Sequence, residues 1–221
     1  KWTGGPSSGD NTGVETYGTV FAIAESAKQK GLIWAGSDDG LVHVTTDEGK
    51  TWKNVTAAMP GFPEWGTVSI IEASPFNANV AYVGVDAHRL DDMRPYLYKT
   101  SDLGKTWKRL DAGLAQDVYL HVVREDPDKR GQLFLGTERG VMFSSDDGAT
   151  WRSLQLNLPT VAVHDLRDRL AVALDRRQHR RRIELADDRY RDPVVQALEG
   201  DRLSSGLMFV LDNKRPAGQT F

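Results

Sequence analysis

Two adjacent acid pairs, Asp38-Asp39 and Asp91-Asp92, are the groups in this chain best suited to acid and base chemistry, with Glu138 a third source of carboxylate. Two carboxyl groups flanking a bond can act as acid and base. Glycosidic hydrolysis requires them about 5 to 5.5 Å apart for retention, or about 6.5 to 9.5 Å apart for inversion. Asp38, Asp39, Asp91 and Asp92 are therefore the candidate catalytic residues. The second pair lies in Asp86-Ala87-His88-Arg89-Leu90-Asp91-Asp92-Met93-Arg94-Pro95, a stretch dense in acid, base and imidazole. His88, Arg89 and Arg94 are candidate binding groups there, as are Glu138 and Arg139 in another turn. Trp65, in Pro60-Gly61-Phe62-Pro63-Glu64-Trp65, joins Phe62 in offering an aromatic face to a sugar ring or a peptide. The plainer alternative is that the ions pair among themselves and the aromatics pack the interior.

Other chemistries find little support. His43, His88, His121, His164 and His179 have no ligand spacing, and no Gly-rich dinucleotide fingerprint follows a strand. No metal and no cofactor are expected. His121 reads as a hydrogen-bonded residue of an interior strand. Cysteine is absent, so neither disulfide nor thiol chemistry operates.

The elements that position these residues are set by an octapeptide written three times: Thr45-Thr46-Asp47-Glu48-Gly49-Lys50-Thr51-Trp52, Thr100-Ser101-Asp102-Leu103-Gly104-Lys105-Thr106-Trp107 and Ser144-Ser145-Asp146-Asp147-Gly148-Ala149-Thr150-Trp151. Its hydroxyl and carboxylate oxygens accept backbone N–H bonds, Gly takes positive φ, and Trp packs the turn onto its sheet. Asp47, Gly49, Trp52, Asp102, Gly104, Trp107, Asp146, Gly148 and Trp151 are thus expected to be structural. The aspartates fall 55 and 44 positions apart, a spacing that suits a four-stranded repeat.

About 19 positions upstream of each octapeptide also align without a gap, starting at Thr19, Thr67 and Tyr119. In that register Trp34, Tyr82 and Phe134 superpose, as do Gly36, Gly84 and Gly136. Each repeat then reads as four antiparallel strands. The innermost spans Thr19 to Ala24, Val68 to Glu72 or Leu120 to Arg124, and the octapeptide joins the third strand to the fourth. The fold expected is all-β, a β-propeller segment of about three four-stranded blades over 19–56, 67–110 and 118–156, within a segment 1–163. From the shared glycine to the octapeptide Asp the second repeat runs 18 residues against 11 and 10. Its second-to-third-strand loop is therefore longer by roughly seven residues, and surface loops on rigid scaffolds commonly carry function.

The motif Ser/Thr-x-Asp-x-Gly-x-Thr-Trp resembles the Asp-box, or BNR repeat, of bacterial glycosyl-hydrolase-like BNR-repeat proteins, sortilin-type receptors, sialidases and xyloglucanase-type glycosidases. The resemblance implies a binding module that displays loops for a glycan or polypeptide ligand. It equally allows a part of a xyloglucanase-like glycoside hydrolase, in which a second-to-third-strand loop followed by Gly, here Asp38-Asp39-Gly40, holds a catalytic acid. The arginine triad and Tyr/Glu nucleophile of sialidases have no counterpart. The resemblance also leans toward a secreted or periplasmic location, which the sequence itself leaves unknown.

Composition agrees: 221 residues with a net charge of −3 and no apolar run of about 18 residues. Neither nucleic acid nor a membrane span is expected. Three blades do not close a ring of the usual four to eight, so further propeller blades, from the same or another chain, are expected partners. Val161 to Leu166 starts like one more innermost strand. From residue 164 to 221 the repeat features stop, and 11 of 18 arginines fall after Asp165 or beyond. Three readings stay open for this Arg-rich tail: helical, disordered or out of frame. The helical one rests on Leu166, Leu170 and Leu174 at i, i+4 spacing.

Overall fold

In a computed structural model, residues 18–154, 160–169 and 206–211 are described. Three four-stranded antiparallel meanders follow one another along the chain. The first contains β1 (Val20–Glu25), β2 (Ile33–Ser37), β3 (Val42–Thr45) and β4 (Lys53–Asn54). The second contains β5 (Thr67–Ala73), β6 (Ala81–Asp86), β7 (Tyr96–Thr100) and β8 (Lys108–Arg109). The third contains β9 (Leu120–Glu125), β10 (Leu133–Thr137), β11 (Gly140–Ser144) and β12 (Arg152–Ser153). A two-stranded sheet follows, β13 (Val163–Arg169) against β14 (Gly206–Leu211). The innermost strands β1, β5, β9 and β13 are successive neighbours, so the sheets stand side by side as blades.

The repeated glycines set the distance between blades. A Cβ on Gly84 would come 2.6 Å from Leu120 Cδ1 and 2.7 Å from Ile70 Cγ2. Gly36 meets Val68 in the same way, and Gly136 meets Val163. Gly36 and Gly84 are thus holes for an apolar side chain of the next innermost strand, Gly136 lies closest to the Val163 backbone carbonyl, and Val68, Leu120 and Val163 are fully buried. Sheet faces bury apolar side chains most completely where backbones approach this closely.

The octapeptide turns are nearly identical. Asp102 Oδ1 accepts Thr106 N–H at 2.9 Å, and its Oδ2 accepts the Thr106 hydroxyl at 2.6 Å. The Thr100 hydroxyl donates to Asp102 at 2.9 Å and accepts Gly104 N–H at 2.9 Å. Asp47 and Asp146 repeat the pattern with Thr51 and Thr150. The threonine hydroxyl and N–H hold all three carboxyls down, to a pKa of about 2. The residue before each glycine, Glu48, Leu103 or Asp147, is also left-handed, with φ of 62°, 59° and 61°.

Two of the turn tryptophans reach beyond their own blade. Trp107 packs edge-on against Trp34 of the preceding blade at 6.0 Å, and the Trp151 indole N–H donates to the Leu110 carbonyl of the preceding blade at 2.7 Å. These two join neighbouring sheets, whereas a Cβ on Gly49 would meet Trp52 of its own turn at 3.7 Å. Trp52, in the first sheet, is 44% exposed.

The tail expectations resolve in part. Val163 to Arg169 is a strand, and Leu166 is buried in it rather than placed on a helix. The cause is tertiary: the strand packs on β9 and β10, burying Leu166 beside Val122 and Phe134. Leu170, Leu174 and the arginine cluster lie outside the described residues.

Candidate ligand-binding face

The connections between second and third strands, together with the linkers between sheets, come to one face; the octapeptide turns lie on the other. The long connection after β6 dominates the candidate face. His88–Leu90 form a single 3-10 turn closed by Asp91, which is left-handed at φ 59°. Asp92 then accepts Arg94 Nε at 2.8 Å and Nη2 at 2.6 Å, along with the Tyr96 hydroxyl at 2.6 Å. The Arg94 guanidinium holds the Asp92 carboxyl far below the usual range.

This loop separates two clusters. On its outer side, against the linker after β4, lies an open groove of about 460 Å³ lined by Phe62, Pro63, Leu90, Arg94, Tyr96 and Arg109, among others. The groove's aromatic wall is stiff. The Arg94 and Arg109 guanidinium carbons lie 5.6 and 5.0 Å from the Tyr96 ring centre, and Phe62 stacks on Tyr98 at 5.9 Å. Arg109 is held in turn by a bidentate pair with Asp111. Both arginines are fixed in planar hydrogen-bonded pairs before any ligand arrives, which limits the ordering cost of recognition.

On the inner side of the loop, aromatic and imidazole rings form a ladder. His88 Nδ1 lies 2.7 Å from both Asp86 oxygens, and the ring stacks on Tyr119 at 4.7 Å. Tyr119 meets the His121 ring edge-on at 5.1 Å, and His121 lies 4.0 Å from His164. His121 Nε2 is 2.9 Å from Glu138 Oε2. Burial lowers the His121 pKa against the opposing pull of Glu138. Burial pushes Glu138 up, yet bonds from His121 and Tyr119 outweigh it, and its pKa falls below the ordinary value.

The candidate acids are placed unevenly. Asp38 Oδ1 accepts the backbone N–H of Gly18 at 2.7 Å and Thr19 at 2.9 Å, so it ties down the entry to β1. Asp39 is 8% exposed and takes the Ser37 hydroxyl. Asp91 is exposed at the loop tip. Arg89 is exposed too, and Arg139 pairs with Asp117 at 2.9 Å. The groove gathers Arg94 and Asp92, whereas His88 and Glu138 join the ladder. Trp65 is half-buried with φ 65° and is not among the groove-lining residues; Phe62 takes that position. Tyr96, Arg109 and the stacking of Tyr119 between two imidazoles were not singled out by sequence reasoning. Tyr96 and Arg109 sit in strands that read as ordinary repeat positions, and nothing local distinguishes them.

No family model matches the chain. By sequence it is 35% identical over 111 residues to vacuolar protein sorting/targeting protein 10 of Laccaria bicolor, covering 48% of this chain and 6% of that protein. It is 27% identical over 132 residues to a probable oligoxyloglucan-reducing end-specific xyloglucanase of Neosartorya fischeri, covering 54% of this chain and 14% of that protein. Among solved structures, YCF48 bound to D1 peptide matches with a TM-score of 0.51 and 15% identity, over 67% of this chain and 44% of that one. An ancestral GH74 enzyme matches with a TM-score of 0.50 and 18% identity, over 62% of this chain and 18% of that one. These neighbours are propellers built of such sheets. This chain is a β-propeller segment. It spans only a small part of the curated relatives it matches. The propeller explains why one face gathers loops from successive blades: every second-to-third-strand connection returns to the same rim. Among the described residues no helix is long and apolar enough to cross a membrane, and no group of three or more His, Asp or Glu is arranged to hold a metal ion.

Proposed function

We propose that this propeller segment is a binding module of the BNR/sortilin-like type, taking a polypeptide or glycan ligand in the groove beside the long loop of the second blade. The observation that carries the reading is the groove itself: a mixed surface in which Phe62, Pro63 and Leu90 stand among charged side chains, edged by two pre-paired guanidiniums. Apolar anchoring with a few fixed polar groups is the usual composition of a ligand site. Phe62 and Leu90 would take an apolar side chain or a sugar face, with the buried Tyr96 supporting the arginines from behind. Arg94 and Arg109 would orient carbonyl or hydroxyl groups through donors that their aspartates leave free. The solved neighbour described as bound to a peptide is consistent with such use of a propeller.

The test is binding of peptide and oligosaccharide arrays by the wild type and by Phe62→Ala and Leu90→Ala variants. The expected result is a ligand retained by the wild type and weakened about tenfold by either variant, the effect of losing one buried apolar anchor. Undiminished binding by both variants would remove the groove from the reading.

A second reading, part of a xyloglucanase-like glycoside hydrolase, draws on the sequence similarity to the oligoxyloglucan-reducing end-specific enzyme. Asp91, exposed at the loop tip, is its strongest candidate acid, because Asp38 holds two backbone N–H groups, Asp39 is buried on the Ser37 hydroxyl and Asp92 is committed to Arg94 and Tyr96. Xyloglucan cleavage abolished by Asp39→Asn or Asp91→Asn, with folding preserved, would support it; absence of cleavage by the complete protein would end it.

A further inference from the structure

The pairing of every innermost strand slips by one residue at the same level, leaving Phe21, Ser69, His121 and His164 outside the ladder. A β-bulge re-aims the side chain of its extra residue. At the junction of the third blade with β13 the two bulge residues are both histidines, and their rings stand 4.0 Å apart at 42°. We propose that the contact between His121 and His164 is an acid-released latch joining the third blade to the β13–β14 sheet.

The groups facing this contact come from every element around it. His88, paired to Asp86, stands on the second-blade side; Tyr119 precedes β9; Glu138 reaches from the turn after β10. Further along the same junction Arg124 binds Glu72 and Asp165, each at 2.9 Å, and donates to the Leu166 carbonyl at 2.9 Å. Arg124 thus spends its donors on the neighbouring ion cluster. Arg139 pairs with Asp117 at the rim. Glu138 is the only carboxylate hydrogen-bonded to His121 among the described residues.

Burial holds the His121 pKa below the ordinary imidazole value in the closed junction. A separated junction exposes the imidazole and takes up the proton more readily. Linkage then makes the closed state weaken as pH falls through about 6.5. The Glu138 pKa is lowered, so this carboxylate stays ionised across that window and cannot itself supply the transition.

The test is amide hydrogen exchange of the whole chain, read in residues 160–169 at about pH 7.5 and 5.5 after correction for intrinsic rates. Wild-type protection in β13 is expected to fall at the lower pH, while β1 to β4 stay protected. His121→Gln should remove that pH dependence. Unchanged wild-type protection, a loss shared equally by the first blade, or a wild-type profile in His121→Gln would each overturn the latch. If that variant does not fold, histidine ring NMR on the wild type decides instead: an opening midpoint that follows the His121 titration supports the latch, and one that follows no histidine refutes it.

Discussion

At the residue scale the side chains that matter most for stability are those shared between blades. Arg124 spans three innermost strands, holding Glu72 of β5 and both Asp165 and the Leu166 carbonyl of β13. Burial pushes the Glu72 pKa up even against the pull of Arg124. Removing the guanidinium leaves that carboxylate uncompensated. Arg124→Met should therefore cost about 2 kcal/mol, below the full penalty for a deeply buried pair because both partners keep some solvent contact. Urea unfolding measures it, and adding Glu72→Gln in the same chain should recover part of the loss. The turn aspartates make a separate prediction. With folded pKa values near 2 against an ordinary 3.8, Asp47, Asp102 and Asp146 stabilise the fold fully above about pH 3.8. That contribution fades as pH falls toward 2. Carboxyl NMR should find three midpoints near 2, and ordinary midpoints would show that the turns are open in solution.

At the scale of the element the repeat is a device for setting inter-sheet distance. The second-strand glycine admits the next innermost strand, and the turn glycine admits the residue after the fourth strand of the previous blade. A Cβ on Gly104 would come 2.9 Å from Val55, and one on Gly148 would come 2.8 Å from Leu110 Cδ1. Gly84→Ala places a methyl against Leu120 and Ile70 at under contact distance and should cost about 1 to 3 kcal/mol by overpacking. Thermal unfolding reads the cost, and Leu120→Ala in the Gly84→Ala chain should relieve part of it. Much of this was legible beforehand. The superposition of Gly36, Gly84 and Gly136, the strand order and the polar bonding of the octapeptide follow from local chemistry. The tryptophan partners did not, because nothing in the octapeptide records which sheet stands beside it. The strand start expected at Val161 to Leu166 is present as β13, whereas the helical alternative fails for the same reason at Leu166. Its spacing to Leu170 fits a helix, while the β9 and β10 side chains that bury it are distant in sequence.

For the whole molecule the uneven end of the arc is the most consequential feature. Val20, Phe21 and Ile23 on β1 are 60%, 60% and 70% exposed, whereas the matching Val68 and Ile71 on β5 are 0% and 2% exposed. Their burial in the second blade comes from the Gly36 surface of the first, so β1 presents an apolar face suited to a further blade. Contiguous apolar surface of this kind drives association. Replacing Ile23 with Glu should lower self-association in light scattering and leave the buried interior of the second and third blades intact. Association unaffected by the charge would place the contact elsewhere.

The sequence by itself determined the repeat, the four-stranded unit, the structural assignment of the turn aspartates and the loop that carries the groove. All of these depend on bonds within about twenty residues, or on copies that can be laid over one another. Tertiary structure alone decided that one loop faces two ways, with Asp92 and Arg94 beside Tyr96 and Arg109 on one side and His88 on Tyr119 on the other. It also brought His121 to His164 across 43 residues of chain. Neither pairing leaves a local trace, because stacking and burial depend on which backbones the closing of the arc carries together.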